Sequence, residues 1–213
     1  MAKVTKVIKN NRWRNANRLL LTAILLINGY IILAPMLPNL MFAWQTRGGS
    51  SQSNPQIKLA HKIVAEAEQG GTASKTSGDA LIIPRMVLDT SVVEGKMSNS
   101  YANLNKGAWR LPIGSTPAEG GNTVIAGHRF SYTGPRGIFY YLDKLKIGDE
   151  IGYREDGVMY RYAVESVRTV PATEVSIQQP TTDARLTLYT CTPLWNPVNR
   201  LVVVAKPLGE PSP

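Results

Sequence analysis

Cys191 is the only cysteine in the chain. It closes the apolar run Leu186-Thr187-Leu188-Tyr189-Thr190-Cys191, and Arg200 stands nine residues later at the head of a second run, Leu201–Ala205. Upstream, Val124-Ile125-Ala126-Gly127 leads into His128. A thiolate attacks a carbonyl carbon, and an imidazole protonates the amine that leaves. A guanidinium hydrogen-bonds the oxygen that turns negative in between. One thiol, one imidazole and one guanidinium, each near a strand end, make the inventory of a cysteine nucleophile working on an amide. A lone thiol buried as a small hydrophobe is the competing reading. A single cysteine forms no intrachain disulfide, so stability must come from the core. The second histidine, His61, lies far from other reactive residue types and reads as a surface or packing residue.

Strands are needed to bring residues this distant in sequence together. Leu81–Ile83, Met86–Leu88, Thr123–Ala126, Glu150–Tyr153, Val158–Val170, Leu186–Thr190 and Arg200–Ala205 read as strands, punctuated by Gly, Pro, Asn and Asp. Seven or more short strands over this length predict a closed barrel or sandwich, on whose rim neighbouring strand ends meet. Phe139–Leu145 reads as a helical turn. Ile57–Gln69 carries Ile57, Ala60, His61, Val64 and Ala65 at helical spacing and predicts a short helix. Gly48–Pro55 and Gly70–Asp79 read as linkers. No internal repeat is present.

The formal charge of +9 points first to nucleic acid, but its distribution argues otherwise. Six basic residues and no acid precede Leu19, whereas 18 basic and 15 acidic residues follow from Thr46 onward. No RNA- or DNA-binding motif is present, so no nucleic-acid partner is expected. Leu19–Leu37 is nearly all apolar; at 1.5 Å per residue it spans roughly 28 Å, close to the hydrocarbon thickness of a bilayer. The run is longer than a signal-peptide core and no clean A-x-A site follows it, so an uncleaved anchor is expected. Basic residues flank only its N-terminal side, which places the N-terminus in the cytoplasm and the rest outside. Tyr30 and Trp44 are candidates for the interfaces. The expected organisation is a basic cytoplasmic tail at 1–18, an anchor with its interfacial flank at 19–44, an extracellular linker at 45–79, a catalytic barrel at 80–207 and a disordered tail at 208–213.

Thr187-Leu188-Tyr189-Thr190-Cys191 is similar to the T-L-x-T-C motif of sortases, the membrane-anchored transpeptidases of mainly Gram-positive cell envelopes. Arg200 has the spacing found in that family. Gly121–Arg129 resembles its histidine segment, and Phe139, Leu142, Leu145 and Gly148-Asp149 resemble the stretch that follows. Ile82-Ile83-Pro84 and Gly107–Thr116 resemble the family's early strands and loops. The resemblance spans about residues 80–206.

The resemblance implies an all-β fold with short helices, namely an eight-stranded closed barrel behind one N-terminal transmembrane helix. It implies that Cys191 attacks the Thr–Gly carbonyl of an L-P-x-T-G-like sorting signal. His128 acts as acid and then base, and Arg200 binds substrate and stabilises the oxyanion. Thr190 supports the oxyanion through its backbone or hydroxyl, and Tyr189 and Trp195 shape the groove. The implied partners are surface proteins or pilins bearing that signal, with an amine acceptor such as lipid II or a pilin lysine. No cofactor is implied. The acidic residues Glu155, Asp156 and Glu174 are scattered, and no metal is expected. Cys191-Thr192-Pro193 resembles pilin-polymerising class C enzymes. A short chain with one N-terminal anchor, no D-P-[FW] lid segment and no C-terminal anchor more closely resembles classes D and E. Ile57–Gln69 is the one candidate for a lid over the groove.

Four other readings stand beside this one. An L,D-transpeptidase places an arginine almost next to its cysteine, unlike Cys191-Thr192-Pro193. A papain-like protease places cysteine before histidine, the reverse of this order. A sortase-like peptidase that hydrolyses rather than transfers uses the same three residues. An anchored β-domain that only binds envelope components is the non-enzymatic alternative.

Overall fold

The computed structural model describes residues 11–33, 36–46, 54–68, 78–130 and 136–209. The chain divides into two compact units, residues 1–48 and 49–213. The first holds α1 (Asn11–Leu33) and α2 (Leu37–Thr46). Trp13–Leu33 is long and apolar enough to cross a membrane: its 21 residues extend roughly 32 Å. Leu19, Leu25, Ile31 and Tyr30 are exposed on it, as is Trp44 on α2. The helix begins within the basic tail, so Arg14 and Arg18 belong to the same helix as the apolar run. It ends two residues before Pro35, whose ring disfavours helical geometry in the residue preceding it.

The second unit is a closed eight-stranded barrel with short helices. Its strands are β1 (Ala80–Ile83), β2 (Leu88–Val93), β3 (Ala108–Arg110), β4 (Asn122–Ala126), β5 (Glu150–Glu155), β6 (Val158–Pro171), β7 (Arg185–Thr192) and β8 (Asn199–Pro207). They run in the order β1-β2-β3-β4-β7-β8-β6-β5, and β5 closes on β1. Two neighbour pairs are parallel, β2 with β3 and β4 with β7. Alternate residues face the interior, as the two-residue strand period requires. Leu186 and Leu188 of β7, Leu201, Val203 and Ala205 of β8, and Ile125 of β4 meet there with Phe139, Leu142 and Tyr153. The run Leu201–Ala205 is apolar throughout because its outer face is covered as well: Val202 and Val204 pack with Val170 and Ile177.

A third helix, α3 (Pro55–Glu68), packs against this barrel. Asn54 caps it, its side-chain Oδ1 accepting from Gln56 N at 2.9 Å, and Pro55 supplies the preset φ of a first helical residue. Ile63 and Ala67 are buried against Ile82 and Met159. The close approach needs Gly152: a Cβ there would sit 2.9 Å from Ile63 Cγ1 and 3.0 Å from Met159 Sδ. Glu66 pairs with Arg154 at 3.0 Å, and Lys62 with Asp89 at 2.5 Å.

Several elements differ from the sequence expectation. Pro84–Met86 forms a 3₁₀ turn, and Val87 takes a left-handed φ of 53°, so β2 starts at Leu88 and runs on to Val93. The three-residue β3 and the helix α4 (Ser100–Lys106) were not anticipated as elements. Phe139–Leu145 contains a 3₁₀ turn at Leu142–Lys144. The chain stays paired beyond 207, with Leu208 N donating to the Arg161 carbonyl at 2.8 Å. Most of the two linkers, residues 1–10 of the basic tail and the last four residues lie outside the described residues.

Candidate active site

The barrel brings Arg200, Cys191 and His128 into one row on its outer face. In β7 the even-numbered residues Leu186 and Leu188 point inward, leaving Thr187, Tyr189 and Cys191 outward. Cys191 pairs with Arg200 across the antiparallel β7–β8 ladder. On its other side, the parallel β4–β7 ladder matches Ala126 to Tyr189, so His128, two residues further along, reaches the level of Cys191. The parallel pair is what lets a histidine at the end of β4 arrive beside a cysteine at the end of β7.

Cys191 is half-buried. With His128, Arg129, Phe130, Leu194, Trp195 and Pro197 it lines a cavity of about 260 Å³. The walls away from the thiol are largely apolar, and Phe130 and Trp195 meet there as a tilted ring pair with centroids 4.8 Å apart. A second hollow, between α3 and β6, is lined by Val64, Met159, Tyr162 and Leu208 among others and contains no thiol or imidazole.

His128 is held from two directions. α4 presents Tyr101 and Asn105 one turn apart on the same face. Asn105 Oδ1 lies 3.2 Å from His128 Nε2, and the Tyr101 ring meets the imidazole edge-on with centroids 6.4 Å apart. With the amide oxygen accepting, this contact matches the neutral tautomer that carries its proton on Nε2. The backbone is fixed as well: Phe139 N donates to the His128 carbonyl at 3.0 Å and Gly137 N to the Arg129 carbonyl at 3.1 Å. Gly137 must be glycine here, because a Cβ would come within 2.1 Å of the His128 carbonyl oxygen. Burial pushes the imidazole pKa below its ordinary value, favouring the neutral ring.

The residues flanking the cysteine are bonded to the residues flanking the histidine. Thr190 is 1% exposed, and its Oγ1 donates to the Gly127 carbonyl at 2.7 Å. Its hydroxyl therefore faces inward to the histidine segment rather than into the cavity. Arg129 Nη1 donates to Thr192 Oγ1 at 2.8 Å, and Arg129 Nη2 lies 3.1 Å from Asp143 Oδ2. Arg200 Nη1 donates to the carbonyls of Asn199 at 3.0 Å and Pro197 at 3.3 Å, so the guanidinium braces the β7–β8 loop.

Of the two groove candidates, Trp195 lines the cavity and Tyr189 does not. Tyr189 packs between the Trp109–Leu111 group and the Val170–Ile177 group. Its hydroxyl accepts from Gln178 Nε2 at 3.0 Å, and burial pushes the phenol up to about 12, with Arg200 pulling the other way. His61 is exposed on α3. No α3 residue lines the cavity, so the candidate lid lies on another part of the barrel. Among the described residues, no group of three or more His, Cys, Asp or Glu is arranged to hold a metal. Sequence reasoning missed Asn105, Tyr101, Arg129 and Thr192. No local pattern marks them: α4 is too short to show a helical period, and Arg129 meets Thr192 only across neighbouring strand ends.

A family model described as a sortase domain matches residues 81–208. Sortase A of Listeria monocytogenes is 32% identical over 127 residues, a match covering 60% of this chain and 54% of that protein. This chain thus spans about half the length of that curated relative. The solved structure of Listeria monocytogenes sortase A is 30% identical, covering 62% of this chain and 88% of that one with a TM-score of 0.54. The Clostridium perfringens sortase D5 transpeptidase, at 22% identity and a TM-score of 0.55, shares the fold over 71% of this chain and 99% of its own. The family match covers well over half of the 213 residues, so the chain belongs to the sortase family.

Proposed function

We propose that this chain is a cysteine transpeptidase that cuts the Thr–Gly bond of an L-P-x-T-G-like sorting signal and passes the acyl group to an amine. The observation that carries this reading is the row Arg200–Cys191–His128, with Cys191 and His128 opening into an apolar-walled cavity. The apolar wall formed by Phe130, Leu194 and Trp195 suits the Leu-Pro part of such a signal.

The chemistry follows from the row. Cys191 Sγ attacks the threonine carbonyl carbon as the thiol proton passes to the neutral His128 imidazole. The carbonyl oxygen becomes an oxyanion, to which Arg200 turns its guanidinium, exchanging backbone carbonyls for a charge-assisted bond. His128 then gives its proton to the glycine nitrogen, the C–N bond breaks, and a thioester remains on Cys191. An incoming amine attacks the thioester, His128 takes its proton, and the thiol is restored. Thr190 acts by position, through Gly127, on where His128 stands.

The clients are surface proteins or pilins with the signal, and the acceptor is a lipid II or pilin-lysine amine. Trp13–Leu33 anchors the chain in the membrane, with the basic N-terminus inside and the barrel outside. A class D- or E-like enzyme is supported by the position of α3, the one lid candidate, none of whose residues lines the cavity. The test is a transfer assay with L-P-x-T-G and L-A-x-T-G peptides, with and without an amine. An acceptor-linked product that is absent with Cys191→Ala supports the proposal. Cleavage with water alone as acceptor would make the chain a peptidase, and no cleavage would remove the activity.

A further inference from the structure

We infer that Arg129 is a positioning residue: bridging Asp143 and Thr192, it holds the end of β7 that carries Cys191 against the segment that carries His128. The inference rests on the proposed transpeptidase reading for its kinetic consequence, though not for its geometry.

The backbone ladder between β4 and β7 stops short of the site. Strand pairing ends at Ala126 with Tyr189, and one further bond runs from Gly127 N to the Tyr189 carbonyl at 3.2 Å. From His128 the backbone turns away to bond with Gly137 and Phe139 instead. Among the described residues, the link between the two segments at the level of His128 and Cys191 is made by side chains. Thr190 to Gly127 secures the side nearer the ladder, and Arg129 to Thr192 secures the far side. Cys191 and His128 each lie between the two ties.

Arg129 suits this task chemically. Its guanidinium is planar and delivers two donors in fixed directions, so holding one holds the other. Nη2 is set by Asp143, at the 3₁₀ turn whose Leu142 is fully buried in the barrel core. The Arg129 side chain is only 15% exposed, so the guanidinium end of the pair is sheltered while Asp143 keeps partial contact with water. The far tie is thus anchored in the core, and it reaches the residue directly after the nucleophile. Positional errors of about 1 Å can cost a hundredfold in rate, so a tie at this point governs the rate more than the fold.

The test uses the full chain in detergent with Thr192→Val, Thr192→Ser, Arg129→Gln and the double variant Arg129→Gln/Thr192→Val. Peptide transfer, Cys191 alkylation by iodoacetamide and thermal unfolding are measured on each. Thr192→Val is expected to lower kcat about tenfold with KM within about twofold, whereas Thr192→Ser, which keeps the hydroxyl, restores most of the rate. The double variant should be no slower than Arg129→Gln, because both changes cut one bond. Equal rates for Thr192→Val and Thr192→Ser, or additive losses in the double variant, would overturn the inference. A loss confined to KM in Arg129→Gln alone would make Arg129 a substrate contact instead and overturn it as well. Should the wild-type chain transfer nothing, the transpeptidase reading fails. The alkylation rates then decide the tie: the same altered rate in Thr192→Val, Arg129→Gln and the double variant supports it, and unchanged rates refute it.

Discussion

Thr190 Oγ1 donates to the Gly127 carbonyl at 2.7 Å, so the residue before Cys191 is bonded to the residue before His128. Both partners are buried, and the bond crosses from β7 to the end of β4. Replacing Thr190 by Val keeps the shape but leaves the Gly127 carbonyl without this donor. The expected destabilisation is about 1–3 kcal/mol in denaturant unfolding, with a larger fractional loss in transfer than in stability. Thr190→Ser should recover most of both. Stability equal to wild type in Thr190→Val would show that the bond contributes nothing.

His128 supplies a pH signature. Burial holds its folded pKa below the ordinary value of 6.5. The unfolded chain therefore binds more protons than the folded one in the window between the lowered value and 6.5. The contribution of His128 to stability rises with pH through that window, is constant above it and is lost below it. Histidine NMR, with the resonance assigned by its disappearance in His128→Asn, should show a midpoint under 6.5. A midpoint at or above that value would mean the imidazole is solvated rather than buried.

Trp195 is 71% exposed where it lines the cavity, in contact with Phe130. So exposed a side chain adds little to folding. Trp195→Ala is expected to raise KM for the peptide about three- to tenfold, the equivalent of one aromatic contact, with an unchanged unfolding midpoint. An unchanged KM would show that the substrate does not use this wall.

Ile63 tests whether α3 is a strap or a lid. It is fully buried against Ile82 and Met159, and no α3 residue reaches the cavity. Ile63→Ala should cost about 2–5 kcal/mol of stability through the void it leaves. Transfer per folded molecule should be unchanged. A gain in rate would reassign α3 as an inhibitory element.

β4, β7 and β8 were legible because each carries three or more strand-forming residues in a row with turn formers near its ends. β3, with three residues, and α4, with seven, are too short to show a period, so neither could be read. The start of β2 was displaced because Val87 adopts a left-handed backbone, which β-branched residues rarely do and which no sequence pattern announces. At the site, Cys191, His128 and Trp195 stood out by residue type, and the structure gathers them at one cavity. Arg129 stands in the sequence only as the end of the histidine segment, and nothing in the sequence singles out Asn105. Their roles arise only once barrel closure lays β4 beside β7 and α4 beside His128, relations that no local sequence pattern encodes.

The central claim is that Cys191 forms a thioester with the acyl half of the signal. Intact-mass spectrometry of the full chain, quenched in acid shortly after adding an L-P-x-T-G peptide without an amine acceptor, tests it most directly. The predicted result is an adduct equal to the peptide up to its threonine, located on Cys191, removed by hydroxylamine and absent from Cys191→Ala. It should also form far more slowly in His128→Ala. Cleaved peptide with no adduct on Cys191, or an adduct that persists in Cys191→Ala, would contradict the account.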